Sequence, residues 1–228
     1  MPTLQQSIDG LAGELIGCRD PCAGISRDQD KGIIPRSLYL ERPGAKGRGC
    51  FAVGLNPGRS SAQERYLYAQ RGVTLPVVNE YRAGIADIPY FRGPRAVIDQ
   101  LRLTGPILWS NLAKCENPKD RRGLPPLQTL RHCTQRFLRR ELAAIPSDWV
   151  VLGIGWEAYR ALAYLVPERV IIGIPHPTGA APNFRRMFED NGPSPTLLAT
   201  IKKRACQVLG ARNGDPSTVW LGAERPDA

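Results

Sequence analysis

Long apolar runs are missing from this chain of 228 residues. No stretch is long enough to cross a bilayer, and no secretory leader opens the chain. These absences set aside an integral membrane protein and favour a cytoplasmic one, associated with the nucleoid in a bacterium. There is no internal repeat, which sets aside solenoids and propellers. Histidine is scarce, at two residues, so each one carries weight. Six cysteines in an intracellular chain do not read as a disulfide framework. Acidic residues are also short, 21 against 31 lysines and arginines, leaving a net charge of +10. The resulting pI near 9.6 points to a polyanionic partner such as nucleic acid, against the plainer alternative of a basic, partnerless surface.

What remains is an ordinary globular composition. Hydrophobic residues make up 42% and the length suits one full core, so a single domain over residues 1–228 is expected. Beyond Gly210 the chain is polar and reads as a loosely ordered tail over residues 211–228.

The chain is organised around Cys50-Phe51-Ala52-Val53-Gly54-Leu55-Asn56-Pro57-Gly58-Arg59. An apolar run, Cys50–Leu55, reads as a buried strand that stops at Asn-Pro-Gly. That tripeptide is good turn chemistry in its own right, yet it also puts one polar side chain where ligands bind in parallel α/β sheets. A second stretch repeats the design. Val170–Ile174 ends in Pro175-His176-Pro177-Thr178, and the two prolines hold the histidine in a stiff frame. Ile107–Leu112 is a third such strand, with Asn111 near its end, and Trp149–Leu152 a fourth, closed by Gly153.

Between these strands the spacing predicts helices over Thr3–Gly17, Ser61–Gln70, Arg95–Leu103, Leu127–Ala144, Glu157–Leu165 and Pro195–Leu209, with a turn of helix over Phe184–Met187. Ser61 and Glu64 stand at capping-box spacing. Residues 18–49 read as irregular apart from a short strand over Ser37–Glu41, and residues 71–92 as a substantial loop. Strands alternating with helices imply an α/β fold of three layers: a central four-stranded parallel sheet with helices on both faces. Asn56, Asn111 and His176 would then all follow carboxyl ends of strands.

Four of the cysteines form two pairs in sequence, Cys18 with Cys22 and Cys115 with Cys133. That set suits zinc or an iron–sulfur cluster. Cys50 and Cys206 sit in apolar or helical contexts and read as core.

Gly54-Leu55-Asn56-Pro57-Gly58 together with His176-Pro177-Thr178 resembles the two signature motifs of the uracil-DNA glycosylase superfamily. The first is similar to the Gly-Ile-Asn-Pro-Gly motif of its mismatch-specific branch. The middle of the chain is more similar to the iron–sulfur branch, through Tyr90-Phe91-Arg92-Gly93, Ser110-Asn111-Leu112-Ala113-Lys114-Cys115, His132-Cys133, Ile145-Pro146 and Val150-Val151-Leu152-Gly153 with Ala158. The resemblance covers roughly residues 18–186.

It implies hydrolysis of the N-glycosidic bond of a uracil flipped out of DNA, leaving an abasic site. His176 would donate to uracil O2 and Asn56 would position the water. Asn111 would read the uracil edge, Phe91 would stack on the ring with Tyr90 as the alternative, and backbone at Gly54 and Leu55 would contact the base. Gly58, Arg59, Thr178, Arg185 and Arg186 would meet DNA, with Asn183–Arg186 wedging into the stack and Lys119, Arg121 and Arg122 as weaker phosphate contacts. Cys18, Cys22, Cys115 and Cys133 would ligate a structural 4Fe-4S cluster. Three features depart from the family pattern. The connection from Arg59 to Phe91 is long, the first cysteine pair is Cys-x-x-x-Cys, and Gly58 stands where the best-known branch has a thymine-excluding tyrosine. The implied partners are uracil-containing DNA and the abasic product, met by a monomer. Two other readings compete: a module that holds abasic or damaged DNA with little turnover, and an α/β enzyme acting on free nucleotides.

Overall fold

A computed structural model describes residues 2–118, 124–178, 184, 195–210 and 217–222. The chain falls into two compact units. The first comprises residues 1–43, 54–86 and 108–146, the second residues 44–53, 87–107 and 147–228.

The strands are β1 (Tyr39–Glu41), β2 (Cys50–Gly54), β3 (Ile107–Asn111), β4 (Val150–Ile154), β5 (Ile171–Ile174) and β6 (Thr218–Trp220). Their order is β1-β3-β2-β4-β5-β6, a mixed six-stranded sheet flanked by helices. The α/β class is as expected, but the four-stranded, all-parallel sheet is not. The short strand expected over Ser37–Glu41 is present as β1 and joins the sheet, whereas β6 is three residues long, too short to stand out as an apolar run. That last strand forms within the segment that reads as a tail.

In the second unit β2, β4, β5 and β6 run parallel, with Phe51 opposite Val151, Val151 opposite Ile171 and Ile171 opposite Thr218. Every residue of β2, β4 and β5 is buried, which is why these strands read as continuous apolar runs. Two glycines let side chains lie against the sheet. A Cβ on Gly153 would come within 2.7 Å of the Tyr159 backbone, and one on Gly173 would meet Trp220 and Tyr159.

Helix α1 (Leu4–Ile16) opens the first unit with a complete capping box at Thr3 and Gln6, and buries Ile8, Leu11 and Leu15. The expected loop over residues 71–92 is instead largely helical. Helix α2 (Ala62–Arg71) is followed by α3 (Leu75–Gly84), and α4 (Pro89–Gln100) belongs to the second unit. Both α3 and α4 have proline in their first turn, a start signal that also reads as a loop residue. Val77 and Val78 of α3 pack with Ile16, Ile34 and Tyr68, and this burial outweighs a polar sequence. Ser61 caps α2 by accepting from the Glu64 amide at 2.9 Å, but Glu64 does not close the predicted box. Its carboxylate turns inward.

The long helix after Pro126 is α5 (Leu127–Cys133) and α6 (Arg139–Ala144), joined by a π-helical turn over Thr134–Leu138. Such turns cluster at functional sites, and this one starts directly after Cys133. Helices α7 (Trp156–Leu165) and α8 (Pro195–Leu209) complete the second unit. No helix among the described residues is long and apolar enough to cross a membrane.

Candidate functional site

In the first unit, the turn after β2 is zipped to the extension of β3. Leu112 donates to Gly54 O and Ala113 to Leu55 O, both at 2.9 Å. Asn56 is half-buried, and its Nδ2 donates to Pro57 O at 3.1 Å. The side chain is thereby turned back on its own loop with the amide donor engaged, leaving Oδ1 as an acceptor. Gly58 and Arg59 are exposed, and the space beside the Gly58 Cα is open. Asn111 is buried at the end of β3.

The same segment carries a charge pair deep in the core. Lys114 and Glu141 are 1% and 0% exposed, and their side chains meet at 2.7 Å. Lys114 Nζ also donates to Ser110 Oγ at 2.6 Å and to Asn111 O at 2.7 Å, and Ser110 Oγ donates to Glu141 at 2.7 Å. A buried pair of this kind holds only when its remaining protons and lone pairs are engaged, as most are here. Sequence reasoning missed it. Helical phase was the available signal, because Glu141 lies on the stripe of Phe137 and Leu138.

The four paired cysteines are brought into one electrostatic neighbourhood. Cys18, Cys115 and Cys133 are buried and Cys22 half-buried, and none is in a disulfide. Burial pushes the Cys115 thiol up to about 12, and the charges of Cys133, Cys18 and Cys22 act on it as well. Burial raises Cys22, with Cys133 and Cys18 adding to the rise. Burial likewise raises Cys133, opposed by a backbone hydrogen bond from Lys114 and by the Lys114 charge. Cys22, Cys115 and Cys133 are thus costly to ionise alone, and a bound cation would reverse that cost.

The irregular loop that carries Cys18 and Cys22 is held by polar contacts rather than by secondary structure. Arg27 donates to the carbonyls of Cys18, Arg19 and Asp20 at 2.8 to 3.3 Å. Asp20 joins the loop to the helix of Cys133, with His132 Nε2 at 2.6 Å and Arg136 in contact. Those partners hold its carboxyl down at about 2. Among the described residues no group of three or more His, Cys, Asp or Glu side chains is arranged to hold a metal ion as it stands.

In the second unit, His176 follows β5, half-buried between two buried prolines. Its Nδ1 lies 3.3 Å from the Thr178 amide and 3.2 Å from Thr178 Oγ1. An amide N–H can only donate, so Nδ1 is the acceptor and the ring proton sits on Nε2. Burial lowers the imidazole below its ordinary value, with Glu157 pulling the other way. The result is a neutral ring with an oriented Nε2–H. Gly155, at φ 92°, ends β4 with the His176 ring 3.7 Å from where a Cβ would be.

Tyr90, in the first turn of α4, stacks at a tilt against His176, with ring centres 5.6 Å apart. Phe91 lies edge-on to Tyr90, with ring centres 5.1 Å apart. Thr178, expected at DNA, serves His176 directly. Lys119, Arg121, Arg122, Asn183, Arg185 and Arg186 lie outside the described residues.

No protein-family model matches this chain, and no curated protein matches it either.

Proposed function

We propose that the chain is a monofunctional uracil-DNA glycosylase with a three-layer glycosylase-type fold and a structural 4Fe-4S cluster. One observation carries this reading: the Thr178 amide fixes His176 as a neutral Nε2–H donor in a proline frame. When the bond between C1′ and N1 breaks, its electron pair leaves with uracil and charge develops on O2. A preorganised neutral donor aimed at that oxygen stabilises the departing anion without first having to give up a proton, a contribution of about 3 kcal/mol or more. The sugar carbon is left oxocarbenium-like and takes the oxygen of water, whose proton passes to solvent. Asn56 suits the positioning of that water, because an amide oxygen orients a nucleophile without being a strong base. Asn111 offers the donor and acceptor needed to read a uracil edge. Phe91 and Tyr90, packed edge-on to one another, are the residues for the aromatic face.

The donor set of the cysteine group fits the cluster. Four thiols are the usual set for 4Fe-4S, and the same set also suits a single structural zinc ion. The Lys114 charge and N–H beside Cys133 suit an anionic thiolate cluster. Bound there, the cluster would cross-link the segment of Cys18 and Cys22 to β3 and α5. The positive charge of the chain supports DNA as the partner.

The test is strand scission of a labelled oligonucleotide carrying one uracil, after incubation and alkali, beside thymine and hypoxanthine controls. Scission at uracil is expected. Salt-sensitive binding without scission at any base would overturn the enzyme in favour of a module that holds damaged DNA.

A further inference from the structure

Arg36 lies in a segment that reads as irregular, yet it is the hub of the first unit's second buried charge network. Its side chain is 11% exposed and reaches two buried carboxylates. Nε lies 3.3 Å from Glu64 Oε1 and Nη2 lies 3.2 Å from Glu116 Oε2. The same Nη2 donates to Gly58 O, inside the turn that carries Asn56. Glu116 completes the loop of contacts by accepting from the Ser60 amide at 2.6 Å. The Arg36 amide donates to Lys114 O at 2.8 Å, and the Ser26 amide to Glu116 O at 2.7 Å, so both partners are themselves pinned by backbone.

Two buried carboxylates around one guanidinium are costly unless each has a task. Glu64 has Tyr68, which donates to it at 3.3 Å, and burial raises its carboxyl against the opposing charge of Arg36. It also gives up the capping box that its spacing would allow, in favour of Arg36. Glu116 spends its carboxylate on the Ser60 N–H and Arg36. A turn that only needed to reverse the chain would not require a buried acid on its amide and a buried base on its carbonyl.

We propose that Arg36 and Glu116 are positioning residues that clamp the turn from Asn56 to Ser60 at Gly58 and Ser60, holding the loop that carries the carboxamide of Asn56 for its work on water. The proposal rests on the glycosylase reading for what Asn56 does, and on the first unit's own geometry for the clamp. Glu116 follows Cys115 directly, so the clamp anchors the turn to the segment that also carries a cysteine of the quartet.

The experiment compares wild-type protein with Glu116→Gln and Arg36→Lys, and reads amide hydrogen exchange over residues 54–61, iron content, and kcat and KM on a uracil oligonucleotide. Glu116→Gln preserves shape and removes the charge, so it keeps the test open should the arginine variant fold poorly. Expected is at least a tenfold rise in exchange over 54–61 in both variants, unchanged exchange over 150–174 and unchanged iron. The kcat should fall at least tenfold with KM within threefold. Unchanged exchange over 54–61 in both variants would overturn the clamp, as would faster exchange with full kcat. Faster exchange in a protein whose wild type never releases uracil would sink the glycosylase reading alone and leave the clamp standing.

Discussion

Every polar or charged side chain that is fully buried among the described residues, from Ser60 to Glu141, belongs to the first compact unit. The second unit buries Val150, Val151, Leu152, Ile171 and Ile172 around glycines that let aromatic rings lie on the sheet. The contrast follows from how each unit meets its backbone. The second has parallel strands whose ladders satisfy N–H and C=O groups, so its core can be wholly apolar. The first carries long irregular segments, residues 17–38 and 112–118, beside its core. Arg27 serves the carbonyls of Cys18, Arg19 and Asp20, while Arg36, Lys114 and Glu116, which stand in those segments, bond the backbone of Gly58, Asn111 and Ser60 beside them. Four cysteines in the same unit fit this pattern, since a cluster would bind together segments that no ladder joins.

Removing charge should therefore break the first unit, and adding bulk the second. The largest effect is expected from Glu141→Ala, which strands Lys114 in the core and should cost about 3–5 kcal/mol in urea unfolding. The double change Lys114→Met with Glu141→Met should recover most of that loss, because two apolar side chains leave no orphan charge. A loss under about 1 kcal/mol for the single change would mean that the pair does not hold the unit together. Gly153→Ala comes next. Its Cβ would press on the Tyr159 backbone, and overpacking of this kind costs about 1–3 kcal/mol. A neutral result would show that α7 has room to shift.

The smallest effect concerns titration. His176 should lose its proton with a midpoint below the ordinary histidine value of about 6.5, read from the imidazole ring signals with His132→Gln to assign them. The sign follows from burial: the folded state binds the proton more weakly than the unfolded chain, so this group lowers stability as pH falls through about 6.5 and has no effect above it. Uracil release should accordingly stay level from about pH 7 upward. A midpoint above 6.5 would point to a charged imidazole and a different donor.

Much of the second unit was legible in the sequence, because apolar runs such as Ile171–Ile174 are buried throughout and end in conspicuous turns. The proline frame of His176 was legible for the same reason. The Thr178 bond that selects its tautomer was not, since it depends on how one turn closes. In the first unit, α1 showed its apolar stripe plainly. Helix α3 did not, because Gly72, Pro76 and Gly84 punctuate it and only Val77 and Val78 reach the core. The cysteine pairs could be named from the sequence, but their gathering depends on a loop held by Arg27 and Asp20. Charge networks were the least visible part. A lysine or glutamate reads as surface until the fold shows what surrounds it, and Lys114, Glu116 and Arg36 all sit in stretches with no clear period.

The most direct measurement is single-turnover release of free uracil from an oligonucleotide, with wild-type protein and His176→Ala side by side. Uracil should be released by the wild type, and about 10²–10³-fold more slowly by the variant at equal DNA binding. Equal release by the two proteins would contradict the role of His176, and no uracil from either would contradict the account of the chain as a uracil-DNA glycosylase.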